Sequence, residues 1–96
     1  MLKKGYTYIT TTKKNTVLYT GATSMLKDRI DRHRNKKYKS AFSARYNVDK
    51  LVWYKEFETI QEALERERQL KAGSRQKKID LVNAMNPDWE DLYNKL

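Results

Sequence analysis

Apolar or β-branched residues alternate with polar ones over GYTYITT and again over TVLYT, with Lys13-Lys14-Asn15 between the two runs. A two-residue period matches the alternating faces of a strand. Residues 6–12 and 16–20 are therefore expected to form a strand, a turn and a second strand, most simply a β-hairpin. The period changes after Thr23. Thr23 or Ser24 is suited to cap a helix over residues 25–35, since either hydroxyl accepts from an unpaired amide of the first turn. The segment 36–47, KKYKSAFSARYN, has no clean period and reads as a basic, aromatic-dotted loop or short helical turn. LVWYKEF at 51–57 alternates again and predicts a third strand. From Thr59 the helical period returns in IQEALERERQLKA and stops at Gly73, a residue favoured at helix C-termini. Ser74 opens RQKKIDLVNAM, expected to end before Pro87 because proline disfavours helix at the preceding residue. Trp89, Leu92 and Tyr93 form a last apolar patch in the tail. The order β-β-α-β-α-α predicts an α+β fold, a small antiparallel sheet with helices packed on it.

Within the helices, three polar residues fall where apolar ones are expected. A helical residue advances ~100° about the axis. With Met25 at zero, Arg29 lies at ~40°, His33 at ~80°, Leu26 at ~100° and Ile30 at ~140°. Arg29 and His33 thus stand one turn apart among apolar residues, and a guanidinium there calls for an acid or a phosphate. With Ile60 at zero, Leu64 lies at ~40°, Leu70 at ~280°, Ala63 at ~300° and Glu67 at ~340°. Glu67 is the carboxylate whose place needs a reason; Glu62, Glu65 and Arg66 point away as solvated charges. The plain alternative to a site is a Glu67–Arg29 ion pair joining two helices, a weak stabiliser once desolvation is counted. Singly, the tyrosines suit a half-buried strand and His33 suits packing or capping.

Length and charge narrow the choice. The 96 residues predict one domain over 1–96, with a modest core. No apolar run reaches the ~18–20 residues of a membrane span, and the N-terminus lacks the apolar stretch of a signal peptide. Without cysteine there are no disulfides, thiolate chemistry or cysteine zinc sites, in keeping with a cytoplasmic location. Twenty-one Lys+Arg against 12 Asp+Glu give a formal charge of +9 and a sequence pI of about 9.8. A charge of that sign concentrates polyanions, nucleic acid above all.

YTY at 6–8, YTG at 19–21 and TSMLKDRIDRH after them resemble the GIY-YIG nuclease family. Tyr8 keeps the final tyrosine of the first triplet, whose first two positions differ; Tyr19 and Gly21 keep the second. Arg29, ten residues after Tyr19, has the spacing of the family's helix arginine, and His33 follows where members carry His or Tyr. EALERERQLK matches the helix that supplies the family's metal-binding glutamate, with Glu67 at that position. Small stand-alone bacterial members share features like ARYNVDKLVWYKEF, KAGSRQKKI and NPDWEDL. Ala22 stands where some members carry a lysine, and neither Asn83 nor Asn86 matches the family asparagine's offset cleanly.

The resemblance implies a three-stranded antiparallel sheet flanked by helices and a phosphodiester hydrolase acting on DNA, including branched or single-stranded forms. It implies one ion, Mg²⁺ or Mn²⁺, on Glu67, and Arg29 on a non-bridging phosphate oxygen. One of Tyr8 and Tyr19 would orient or deprotonate water; the sequence leaves open which. His33 would relay the proton, and Gly21 would let the chain turn closely into the helix.

Substrate contacts are expected from Lys36, Lys37, Tyr38, Lys39, Arg45 and Tyr46 in the basic-aromatic loop and from Arg75 and Lys77. A solvated charged face is the competing reading of both runs. Two further readings of the whole chain stand beside the nuclease. One is a nucleic-acid-binding module with a vestigial site. The other is an adaptor, or a nuclease given its specificity by a partner protein.

Overall fold

The polar stretch between the first two runs closes on itself. In the computed structural model, which describes residues 3–34, 48 and 50–96 apart from the His33 side chain, Asn15 N–H donates to the Thr12 carbonyl at 2.9 Å. Thr16 N–H donates to Thr12 Oγ1 at 3.0 Å, and the two threonine hydroxyls lie 2.9 Å apart. Asn15 takes φ 59°, a left-handed conformation that asparagine tolerates better than most residues. The turn joins β1 (Gly5–Thr11) to β2 (Leu18–Thr23). β2 therefore begins and ends later than residues 16–20 and carries Gly21 within it.

After β2 come α1 (Leu26–Arg34), β3 (Lys50–Phe57), α2 (Ile60–Ala72), α3 (Arg75–Met85) and a 3₁₀ turn, Leu92–Lys95. The sheet is antiparallel in the order β2-β1-β3, so Tyr8 on the central strand faces Gly21 on one side and Tyr54 on the other. Both faces are covered. Tyr8 packs with Leu26, Ile30, Leu51 and Leu92, while Ile9 packs with Val52, Trp53, Leu70 and Val82. A register shift in β3 opposite Ile9 and Thr10 sends the adjacent Val52 and Trp53 into the second cluster and returns Leu51 to the first.

The α2 helix lies close against β1. Thr7 Oγ1 donates to the Ala63 carbonyl at 2.7 Å, Ile60 N–H donates to the Lys3 carbonyl at 2.9 Å, and a Cβ at Gly5 would come within 2.6 Å of Ile60 Cα. Thr59 caps α2 by accepting from Glu62 N–H, and Ser74 caps α3 by accepting from Lys77 N–H, both at 3.2 Å. α3 ends at Met85, ahead of Pro87 as expected. At α1 the cap differs from the sequence reading. Arg29 N–H donates to the Met25 carbonyl, which makes Met25 the capping residue; Thr23 Oγ1 instead accepts from Met25 N–H.

Asn86 is buried and fastens the tail to β3. Its side-chain amide donates to the Val52 carbonyl at 3.1 Å and the Glu90 carbonyl at 2.8 Å, and its Oδ1 accepts from Glu90 N–H at 3.1 Å. Asn83 Oδ1 accepts from Trp89 Nε1 at 2.7 Å. Both asparagines therefore serve the tail. Asp91 accepts from Leu51 N–H and pairs with Arg34, whose guanidinium lies over the Tyr93 ring, and Tyr93 donates to Asp31. Asn86→Ala removes three hydrogen bonds, one of them to the buried Val52 carbonyl, and is expected to lower the unfolding free energy by about 1–3 kcal/mol. Urea midpoints at a matched slope measure it; a change within ~0.5 kcal/mol, the range of a surface substitution, would show that the amide is not the fastening.

Candidate active site

Tyr8 is 1% exposed, and its ring lies over the cross-strand space that Gly21 leaves. A Cβ at Gly21 would overlap the Tyr8 Cζ and Oη atoms and stand 2.9 Å from Cε1. No glycine here has positive φ, so the need at Gly21 is for room. That replaces the expected turn into the helix: Gly21 is a buried strand residue that makes the Tyr8 phenol's place possible.

The phenol stands among the groups singled out in the sequence. Burial pushes the Tyr8 ionisation above the ordinary tyrosine value; the charges of Tyr19 and Glu67 push the same way and Arg29 opposes them. Strands β1 and β2 and helices α1 and α2 thus each contribute one group to a common electrostatic neighbourhood. Tyr19 is half-buried on β2, the edge strand, and packs against the Tyr8 cluster.

Glu67 is half-buried between the buried Ala63 and Leu70 of α2, as its place on the helical face implied. The Glu67–Arg29 ion pair, the plain alternative to a site, does not form. Glu67 Oε2 instead pairs with Lys71 Nζ at 3.2 Å, and that ammonium stands 5.9 Å from the Tyr19 ring centroid. Lys71 was not singled out, although a Glu followed four residues later by Lys is a recognisable helical pair.

Arg29 is exposed, which corrects its placement on the apolar face. Met25, which by type extends the apolar face past Arg29, is 61% exposed, and the buried pair is Leu26 and Ile30. Arg29 therefore sits at the margin of the packed stripe. With Thr23, Ser24, Asp28 and Arg32 it lines a cleft of ≈ 290 Å³, in which Asp28 pairs with Arg32 at 3.0 Å. A larger cavity, ≈ 720 Å³, adjoins it across Ser24, Met25 and Asp28 and is also lined by Asp31, Glu56, Tyr6 and Tyr54. Its three carboxylates outnumber its lysines, Lys27 and Lys95, which disfavours a polyanion there.

His33 belongs to α1 one turn past Arg29, but its side chain lies outside the described residues, as do Lys36, Lys37, Tyr38, Lys39, Arg45 and Tyr46. Arg75 and Lys77 are exposed in the first turn of α3.

Among the described residues no three or more His, Cys, Asp or Glu side chains stand close enough together to hold a metal ion. A single carboxylate with one oxygen outside its salt bridge does suit a hard ion that keeps several waters and takes its other ligands from phosphate.

The raised Tyr8 ionisation has a consequence for stability. The neutral phenol's contribution is complete below the unfolded tyrosine value of about 10 and is lost as the pH rises through the higher folded value. Hydrogen bonds from Tyr6 to Glu56 and from Tyr93 to Asp31 shift those phenols upward too, so the alkaline decline is shared. Urea midpoints are expected to fall above about pH 10, and Tyr8→Phe is expected to flatten part of that fall. An unchanged slope in the variant would refute the burial argument.

The three-stranded sheet in this order carries Tyr8 and Tyr19 on adjacent strands, with Arg29 on the helix after them and Glu67 on the later one. The chain belongs to the GIY-YIG family, matching the GIY-YIG catalytic domain over residues 4–80. It is 38% identical over 82 residues to the UPF0213 protein SSP2268 of Staphylococcus saprophyticus, covering 85% of this chain and 98% of that one. A UPF0213 protein of Syntrophus aciditrophicus is 32% identical over 87 residues, covering 91% and 98%. The solution NMR structure of the UPF0213 protein BH0048 from Bacillus halodurans matches with a TM-score of 0.56 and 31% identity, over 92% of each chain.

No helix among the described residues is long and apolar enough to cross a membrane.

Proposed function

We propose that this chain is a metal-dependent endonuclease that hydrolyses phosphodiester bonds in DNA, with branched and single-stranded forms as the first substrates to try. The observation that carries the reading is the meeting of a buried phenol, an edge-strand phenol, an exposed guanidinium and a half-buried carboxylate from four separate elements. Structural ion pairing explains such a gathering poorly, because Arg29 makes no ion pair with a described residue and Glu67 pairs within its own helix.

Each group has a task set by its surroundings. Arg29 binds a non-bridging phosphate oxygen and stabilises the charge that develops there, since its donors are not committed to a described acid. Tyr8 stays protonated at neutral pH, so it donates a hydrogen bond and does not accept a proton. Tyr19, half-buried at the sheet edge, is the phenol assigned to orient water and take its proton. Glu67 would hold one Mg²⁺ or Mn²⁺, and such an ion when bound would supply charge neutralisation at the phosphate.

The test is nicking of plasmid and of branched and single-stranded oligonucleotides with Mg²⁺ or Mn²⁺, comparing the natural chain with Glu67→Gln and Arg29→Ala. Cleavage that survives both substitutions removes the site. Salt-dependent binding with no metal-dependent cleavage over the whole panel would instead establish a binding module with a vestigial centre.

A further inference from the structure

The acids of this chain are unevenly placed: none precedes Asp28, and none lies between Glu67 and Asp80. The fold brings these two acid-free runs together. Arg75 Nη2 donates to the Thr16 carbonyl at 3.1 Å, docking the first turn of α3 against the β1–β2 turn. Lys71, which precedes α3, stands over the Tyr19 ring on the strand that leaves that same turn. Lys13, Lys14 and Arg75 are exposed at the resulting junction, and the half-buried Lys78 lies on the same side of α3 as Arg75, whereas Lys77 lines a separate cleft with Arg66 and Asp80. The nearest acid in sequence on α3, Asp80, already accepts from Gln76 at 2.8 Å.

This arrangement works against stability. Like charges repel across the junction, and cations in the first turn of α3 oppose its dipole. No acidic residue in that turn relieves them. The lysines are nevertheless presented on an ordered support, because the turn is closed by the Thr12, Asn15 and Thr16 hydrogen bonds. Positioned charges lose less freedom on binding than charges on a floppy loop.

We infer that the ridge of Lys13, Lys14 and Arg75 holds the phosphate backbone of duplex DNA to one side of the cut. The inference rests on the nuclease reading above, in which Tyr19 stands on the strand that leaves the turn carrying Lys13 and Lys14.

The experiment is a fluorescence-anisotropy titration of a labelled linear duplex, without divalent metal, across a series of salt concentrations. Lys13→Gln/Lys14→Gln is compared with the natural chain and with Lys4→Gln/Lys95→Gln, which removes the same charge from exposed lysines paired to Glu56 and Glu90. Each lost phosphate contact flattens the plot of log affinity against log salt by about 0.9, so the first variant is expected to lose about 1.8 and the second nothing. A natural slope in the first variant, or an equal change in both, overturns the inference. Equal loss of affinity for polyglutamate would assign the ridge to an acidic protein and overturn it too. Binding is read apart from cleavage, so a chain that fails to cut DNA refutes the nuclease reading and leaves this result interpretable.

Discussion

Arg29→Ala is expected to lower the cleavage rate by about 10²–10³-fold, the usual consequence of removing one positioned donor from a developing negative charge. The loss should fall on kcat at saturating DNA, because the donor is worth most in the transition state. Stability should change by less than ~0.5 kcal/mol, since the side chain is exposed and pairs with no described acid. Arg29→Lys should recover only part of the rate: an ammonium keeps the charge but loses the planar fork that grips two oxygens. Glu67→Gln should fall at least as far, because the amide keeps the shape and removes the charge that anchors a divalent ion. Its binding of Mn²⁺, followed by the spin resonance of the free ion, should weaken by an order of magnitude or more. A Glu67→Gln chain that holds Mn²⁺ as tightly as the natural one would show that the ion, if it binds, sits elsewhere. Lys71 adds a check, since it already neutralises part of Glu67 and any ion must share that carboxylate with it.

Gly21→Ala is the second large effect, and it reaches stability and chemistry together. The added methyl would overlap the end of the Tyr8 ring, and Tyr8 is fixed in a closed cluster with Leu26, Ile30, Leu51 and Leu92. Overpacking of this kind costs about 1–3 kcal/mol, as rings leave their preferred rotamers or strands shift apart. Either response moves the Tyr8 hydroxyl away from Tyr19 and Arg29, so activity should fall further than the loss of folded protein accounts for. Tyr8→Phe in the same chain should restore little, because Cζ is overlapped as well as the hydroxyl. Tyr8→Leu should restore stability and leave activity low. Stability restored by Tyr8→Phe alone would place the clash at the oxygen only. A Gly21→Ala chain as stable and active as the natural one would show that the strand yields without cost.

How much of this could be read from the chain depends on the range of the interaction. Glu67 was legible because a helix repeats every 3.6 residues, and a carboxylate between Ala63 and Leu70 stands out on that period. The same argument misplaced Arg29 because of Met25. Met25 looks like a core residue by type, yet it serves as the helix cap and faces water. The asparagines show the same limit: Asn86 differs from Asn83 only in what surrounds it, and both turn out to hold the tail.

Alone, the sequence determined the succession of strands and helices, the helix stops at Gly73 and Pro87, the excess of positive charge and the residues able to handle a phosphate. Those follow from the period of side chains along the backbone and from the chemistry of each residue, both local. Tertiary structure decided the rest. It set the register shift that divides Leu51 from Val52 and Trp53, and the emptiness at Gly21 that Tyr8 fills. It also paired Glu67 with Lys71 and not with Arg29, and docked Arg75 on Thr16. Each of these depends on which atoms from distant parts of the chain compete for one small volume, and a periodic pattern carries no information about that competition.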